Sequence, residues 1–163
     1  MLIGLRLRLK GIYKGRHSVI KTLQIGERSR IWSYVNIMSG AIIGADCNIC
    51  DRCFVESGAI VGNRVTIKTG VSLWLGVVIM DDVFIGPGVS FCNDSYPRSR
   101  KYKEPEMTIV EEGCSIGAGA VILPSIKIGK GSIVGAGSVV TKSVAPHTVV
   151  AGNPARVIRL LDQ

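Results

Sequence analysis

Every sixth residue from Ile25 to Phe91 is large and apolar. The series runs Ile25, Ile31, Ile37, Ile43, Ile49, Val55, Val61, Ile67, Leu73, Ile79, Ile85 and Phe91 without a break. Apolar residues make up 47% of the chain, so twelve in a row arise by chance about once in 10,000 trials of a given frame. Four residues after each comes a second position that is small or β-branched: Ser29, Val35, Ala41, Cys47, Cys53, Ala59, Val65, Val71, Val77, Val83 and Val89. The period resumes at Val110, Ile116, Ile122, Ile128, Val134 and Val140. A step of six fits neither the 3.6-residue turn of a helix nor the two-residue alternation of a long strand. It fits a short strand followed by a tight turn, with the aliphatic residue pointing inward and the smaller one at the corner. Gly26, Gly44 and Gly62 recur three hexads apart, which predicts three strands per coil and a triangular section. The expected fold is an all-β parallel helix of about six or more coils, stacked about 4.8 Å apart.

The 163 residues are expected to form one domain. Hexad coils occupy 25–91 and 110–145, out of phase with each other. Between them, 92–109 is polar, contains two prolines and ignores the period. A stretch this long should leave the solenoid as a loop, and long loops on rigid scaffolds often carry function. Residues 1–24 keep the step of six at Leu7, Tyr13 and Val19 but fit the corner position poorly, so they read as an irregular first coil. Residues 146–163 read as a C-terminal cap, with Val157 to Leu161 as a brief helix over the open end of the core.

No run reaches the ~18 apolar residues that a membrane helix needs. Arg6, Arg8 and Lys10 interrupt the apolar N-terminus, unlike the unbroken core of a secretion signal. A cytoplasmic protein is expected. Five cysteines, an odd number, fit free thiols better than a disulfide framework. Cys47-Asn-Ile-Cys50-Asp-Arg-Cys53 invites a metal reading, but Cys47 and Cys53 fall on the corner position and no second ligand cluster has zinc-like spacing. No metal is expected. The net charge of +8 is concentrated at the N-terminus: residues 1–30 hold eight basic groups against Glu27 alone. Such a cluster either attracts polyanions or forms a solvated face.

Three segments carry a resemblance: Ile116-Gly-Ala-Gly-Ala-Val-Ile-Leu-Pro124, Ile133-Val-Gly-Ala-Gly-Ser-Val-Val-Thr-Lys142 and Val150-Ala-Gly-Asn-Pro-Ala-Arg156. With the hexads, they resemble the hexapeptide-repeat acyltransferases over roughly residues 25–160. That resemblance implies a left-handed parallel β-helix, a homotrimer with sites in the clefts between subunits, and acetyl-CoA as co-substrate lying along the coils. It implies neither a nucleic-acid partner nor stable membrane insertion. Small residues at Gly117, Ala118, Gly135 and Ala136 would let an extended pantetheine arm approach the backbone. Lys142 and Arg156 would neutralise the coenzyme's phosphates, Arg by bidentate contact.

The loop segment Phe91-Cys-Asn-Asp-Ser-Tyr-Pro-Arg-Ser99 is similar to that of bacterial nucleotide-linked amino-sugar N-acetyltransferases acting on dTDP-3-amino-3,6-dideoxyhexoses or UDP-3-amino glucuronates. By that likeness Asn93 lies near the reacting amine, with Asp94 beside it. The chain departs from the pattern at Trp74-Leu75 and Met80. It has only two histidines, His17 and His147, neither of them in the loop. A hydroxyl attacks only with a general base. A sugar amine, titrating at about pH 8, is partly neutral without one. The expected function is therefore N-acetylation of a nucleotide-linked amino sugar. The alternatives are O-acetylation of a sugar or small molecule on the same fold, and a non-catalytic scaffold that binds polyanions.

Overall fold

The computed structural model describes residues 7–162. Among them are twenty-one strands, from β1 (Tyr13–Lys14) to β21 (Ala155–Leu160), most only two residues long. Ile31 pairs with Ile49, Ile49 with Ile67, and Ile67 with Ile85, always in parallel and always eighteen residues on. The strands form three flat faces of nine, seven and five members. We call them the first, second and third in the order the chain visits them. The result is a β-solenoid of about eight turns, wound as a left-handed β-helix.

The hexad residues fill its interior, and all eighteen are at most 2% exposed. Burial of each contributes roughly 1.5–3 kcal/mol, so these stacked columns are the main source of stability. Serines and cysteines at the corners also have work to do there. The Ser29 hydroxyl donates to the Gly44 carbonyl (2.9 Å) and accepts from the Cys47 amide (3.1 Å). The Cys47 thiol donates to the Gly62 carbonyl at 3.0 Å, and the Cys114 thiol to that of Gly129 at 3.0 Å. Burial pushes these thiols up, that of Cys53 to about 11, so they are packing groups and weak donors. Thr108 breaks the rule: its buried hydroxyl has no hydrogen-bond partner among the described residues.

Each corner also needs one residue with positive φ. The series is Arg28, Tyr34, Gly40, Asp46, Arg52, Gly58, Arg64, Gly70, Gly76, Asp82 and Gly88, again in sixes. A side chain in that conformation costs about 1–2 kcal/mol, yet several of these positions are not glycine. Along the edge between the third and first faces they are charged and alternate in sign. Arg28 grips Asp46 by two bonds of 2.8 Å, and Arg64 grips Asp82 by two of 2.7 Å.

The ends differ from expectation. Counting back in sixes from Ile25 lands on Val19 and Tyr13, and both are exposed. The register instead places Ile20 level with Ile37, and Lys14 level with Ile31. Only five residues separate Ile20 from Ile25, and Thr22 absorbs the deletion. Its hydroxyl donates to the Ala41 carbonyl and accepts from the Gln24 amide. Two of the N-terminal cations are structural: Lys10 donates to the Ile25 carbonyl at 2.9 Å, and Arg28 belongs to the ion ladder. Arg6 lies outside the described residues. At the other end, Val157 to Leu161 is not helical. β20 (Thr148–Gly152) and β21 form an antiparallel hairpin on the first face. The open edge of that face offers hydrogen bonds that a lone helical turn would lack, and Val157 and Ile158 favour strand. No helix among the described residues is long and apolar enough to cross a membrane.

The loop leaves the prism between β13 (Ser90–Phe91) and β14 (Thr108–Val110), at the edge joining the second and third faces. The Trp74 indole donates to the Phe91 carbonyl at 2.8 Å where the chain departs. The Glu106 amide donates to the Asn93 carbonyl where it returns.

Two outcomes follow from this packing. Ile67→Asp places a charge in the middle of a column and should abolish the cooperative thermal transition seen by circular dichroism, because an unpaired buried charge costs more than a domain's spare stability. Thr108→Val removes the orphaned hydroxyl while keeping the shape. It should leave stability in urea unchanged or raise it by up to about 1 kcal/mol.

Candidate functional site

Asn93 and Asp94 stand at the root of the loop, just past the end of β13. With Glu56, Leu75, Lys101, Tyr102, Lys103 and Pro105 they line an open concavity of about 230 Å³. Asp94 is partly committed, since one carboxylate oxygen accepts from the Tyr96 amide at 2.8 Å and shapes the turn. Glu56 was not singled out from sequence. One of its oxygens accepts from the Leu75 amide at 2.8 Å, and the other makes no hydrogen bond among the described residues. The eighteen-residue period held the signal: Glu56, Trp74 and Cys92 are in one column, directly under the residue that opens the loop.

The departures at Trp74-Leu75 and Met80 separate cleanly. Trp74 is half-buried, holds the Phe91 carbonyl and packs on Phe54 at 5.6 Å between ring centroids. Leu75 forms part of the concavity wall. Met80 lies on another groove with Ile60, Val78 and Glu112, away from Asn93.

Lys142 and Arg156 border the same hollow in the fold, a concavity of about 370 Å³ at the C-terminal end of the prism, lined also by Val140, Ser143, Val150 and Ala155. Lys142 follows the column Phe91, Ile122, Val140, so it occupies the same edge as Asn93, two coil spacings or about 10 Å further along the axis.

Gly117, Ala118, Gly135 and Ala136 lie on a different edge, between the first and second faces. The two glycines have a packing reason of their own. A Cβ on Gly117 would collide with the Ala136 backbone of the next coil, and one on Gly135 with the Ala151 side chain. The second glycine of each Gly-Ala-Gly run behaves differently. Gly119 and Gly137 have positive φ, and a Cβ on either would meet nothing within 4 Å. Gly70 and Gly88, lower on the same edge, are equally open. Glycine thus holds the positive-φ position of this edge over four coils, and in the upper two the corner carries nothing larger than the exposed Ala118 and Ala136. On the third–first edge the matching positions of the first two of those coils carry the Arg64–Asp82 pair.

Neither histidine lines the Asn93 concavity. His17 stacks on Tyr34 at 5.0 Å in the first two coils. His147 packs over Gly131 on the third–first edge. Among the described residues no three His, Cys, Asp or Glu side chains converge as metal ligands.

Comparison with known proteins bears on this geometry. The model of the bacterial transferase hexapeptide (six repeats) matches residues 107–142, and that of the hexapeptide repeat of succinyl-transferase matches 40–74. A dTDP-3-amino-3,6-dideoxy-alpha-D-galactopyranose 3-N-acetyltransferase from Aneurinibacillus thermoaerophilus is 48% identical over 142 residues, covering 86% of this chain and 74% of that protein. A galactoside O-acetyltransferase from Lactococcus lactis is 31% identical over 133 residues, covering 74% of this chain but 63% of its own length. The chain thus spans less than two thirds of this second relative. Among solved structures, AntD, an N-acyltransferase from Bacillus cereus in complex with dTDP and coenzyme A, superposes with a TM-score of 0.64. It covers 91% of this chain and 86% of its own, but at 22% identity that likeness speaks for the fold alone. Repeat, fold and the 48% identity together place the chain in the hexapeptide-repeat acyltransferase family.

Proposed function

We propose that the protein transfers an acetyl group from acetyl-CoA to the amine of a nucleotide-linked amino sugar. The observation that carries this reading is the Asn93 concavity: it has an amide and two carboxylates but no histidine. A neutral amine needs orientation more than it needs a base. The Asn93 side-chain oxygen would accept a hydrogen bond from the amine and aim its lone pair at the thioester carbon. As the C–N bond forms and the C–S bond breaks, one amine proton must leave. Glu56 and Asp94 are the nearby acceptors, and the departing sulfur is a third. The 48% identical relative, an N-acetyltransferase by name, supports this chemistry.

Lys142 and Arg156 would hold the phosphates of the coenzyme, and the bare edge at Ala118, Gly119, Ala136 and Gly137 would take its extended arm. Gly117 and Gly135 support that edge by letting successive coils approach. In one chain Lys142 and that edge sit at opposite borders of the second face. The Asn93 concavity, at about 230 Å³, is also smaller than the ~300–1,000 Å³ of a pocket that encloses a ligand. Both facts fit a homotrimer in which the open edge of one protomer faces the loop edge of the next, a head-to-tail contact that closes as a ring.

The O-acetyltransferase reading rests on the Lactococcus relative and would ask Glu56 to serve as general base. Thiol release measured with amino and hydroxy forms of the same nucleotide sugar separates the two; faster release with the hydroxy form would overturn the N-acetyl reading. A scaffold without catalysis would show neither release nor binding of coenzyme A in a calorimetric titration.

Asn93→Ala should lower kcat by about 100-fold or more, since orientation is the larger part of this mechanism, while the assembly mass by light scattering stays at that of wild type. Lys142→Ala and Arg156→Ala should instead raise KM for acetyl-CoA by about 10-fold each, with kcat nearly unchanged, as expected for groups that bind ground and transition states alike.

A further inference from the structure

The carboxylate of Glu106 is the busiest polar group of the loop. It is half-buried, at 25% side-chain exposure. Ser95 Oγ donates to its two oxygens at 2.9 and 3.0 Å. Ser125 Oγ donates to it from nineteen residues away, and the Lys103 ammonium pairs with it from within the loop. Its own backbone amide donates to the Asn93 carbonyl at 3.3 Å. Neither the hexad period nor the motif around Asn93 marks this residue.

These partners belong to different parts of the molecule. Ser125 is on a corner of the next coil, held at φ 61° between two paired strands, so it is part of the rigid prism. Ser95 directly follows Asp94, whose carboxylate closes the turn onto Tyr96. Lys103, which pairs with Glu106, lines the same concavity as Asn93 and Asp94. A carboxylate only accepts, with about four lone-pair directions, and here the donors occupy most of them. We infer that Glu106 is a positioning residue: it fastens the loop to the following coil and thereby sets where Asn93 and Asp94 stand. The donors hold its carboxyl down at about 2, so the fastening stays charged at any working pH. The role for Asn93 and Asp94 rests on the function proposed above; the fastening itself does not.

The test uses the whole chain in five forms: wild type, Glu106→Ala, Ser125→Ala, the double variant, and Glu106→Gln as the conservative change. Trypsin has sites within the loop after Arg98, Arg100 and Lys101, and mass spectrometry identifies those cuts. Glu106→Ala should be cut there about 10-fold faster than wild type with an unchanged melting temperature, because only a local opening has become easier. Its kcat should fall by about 10- to 100-fold while KM for acetyl-CoA stays within about 2-fold, the pattern of a displaced reacting group. Ser125→Ala should show a smaller effect of the same kind and should add little on top of Glu106→Ala, because the two act through one contact. Glu106→Gln keeps one acceptor oxygen and should fall in between. Loop cleavage at the wild-type rate, wild-type kcat in Glu106→Ala, or full additivity with Ser125→Ala would each overturn the proposal. If the wild type transfers acetyl to no amine, the functional reading fails instead, and the fastening is decided by the cleavage rates alone.

Discussion

Parallel hydrogen bonding between coils sets a repeat of about 4.8 Å, and the rest of this molecule obeys it. Whatever stands at one level must be tolerated eighteen residues later, directly above. An inward Ile therefore lies on an inward Ile or Val, as in the column Ile31, Ile49, Ile67, Ile85, Ile116. Where two corners press together, no Cβ fits, and Gly44 and Gly117 mark such places. A polar residue inside a corner must reach a carbonyl of its neighbour coil, as Ser29 and Cys47 do. Thr108 is where this order fails, and it fails at the first strand after the loop, where the chain re-enters the prism.

The same rigidity would let a chain with almost no helix hold the reacting geometry proposed for it. Strands of two residues leave little room for shape on the faces, so chemistry collects at the edges. One edge carries an ion ladder, one has glycine at the positive-φ position of four successive coils, and one releases the loop. The loop would be a poor platform by itself. Trp74 pins its departure and Glu106 pins its return, both to atoms of the prism. Exposed ion pairs such as Arg64–Asp82 add little to stability, and their main effect is to occupy an edge that the proposed site does not use.

The fold was legible in the sequence because its driving force is hydrophobic and strictly periodic. All eighteen hexad residues named from the step of six are buried. The step failed at Val19 because a one-residue deletion is invisible when both frames offer an apolar residue, here Val19 and Ile20; at Tyr13 the shifted frame offers Lys14, and both are exposed. The short helix expected over Val157 to Leu161 failed for a different reason: a segment with β-branched residues finds partners on an open sheet edge there. The loop was visible as a break in period, and Asn93 as part of a motif. Glu56 and Glu106 were not, since each gains its meaning from residues eighteen or nineteen positions away.

By itself the sequence determined the columns, the three-sided section, the loop and the family, because these depend on spacing along the chain. The tertiary structure alone decided which glycines support a neighbouring coil and which face open space. It also decided which carboxylate fastens the loop, and that Lys142 shares an edge with Asn93 while Gly117 does not. Those are distances between coils and across edges; the period assigns corners to edges within each block of hexads, but the break at the loop hides the phase between the two blocks.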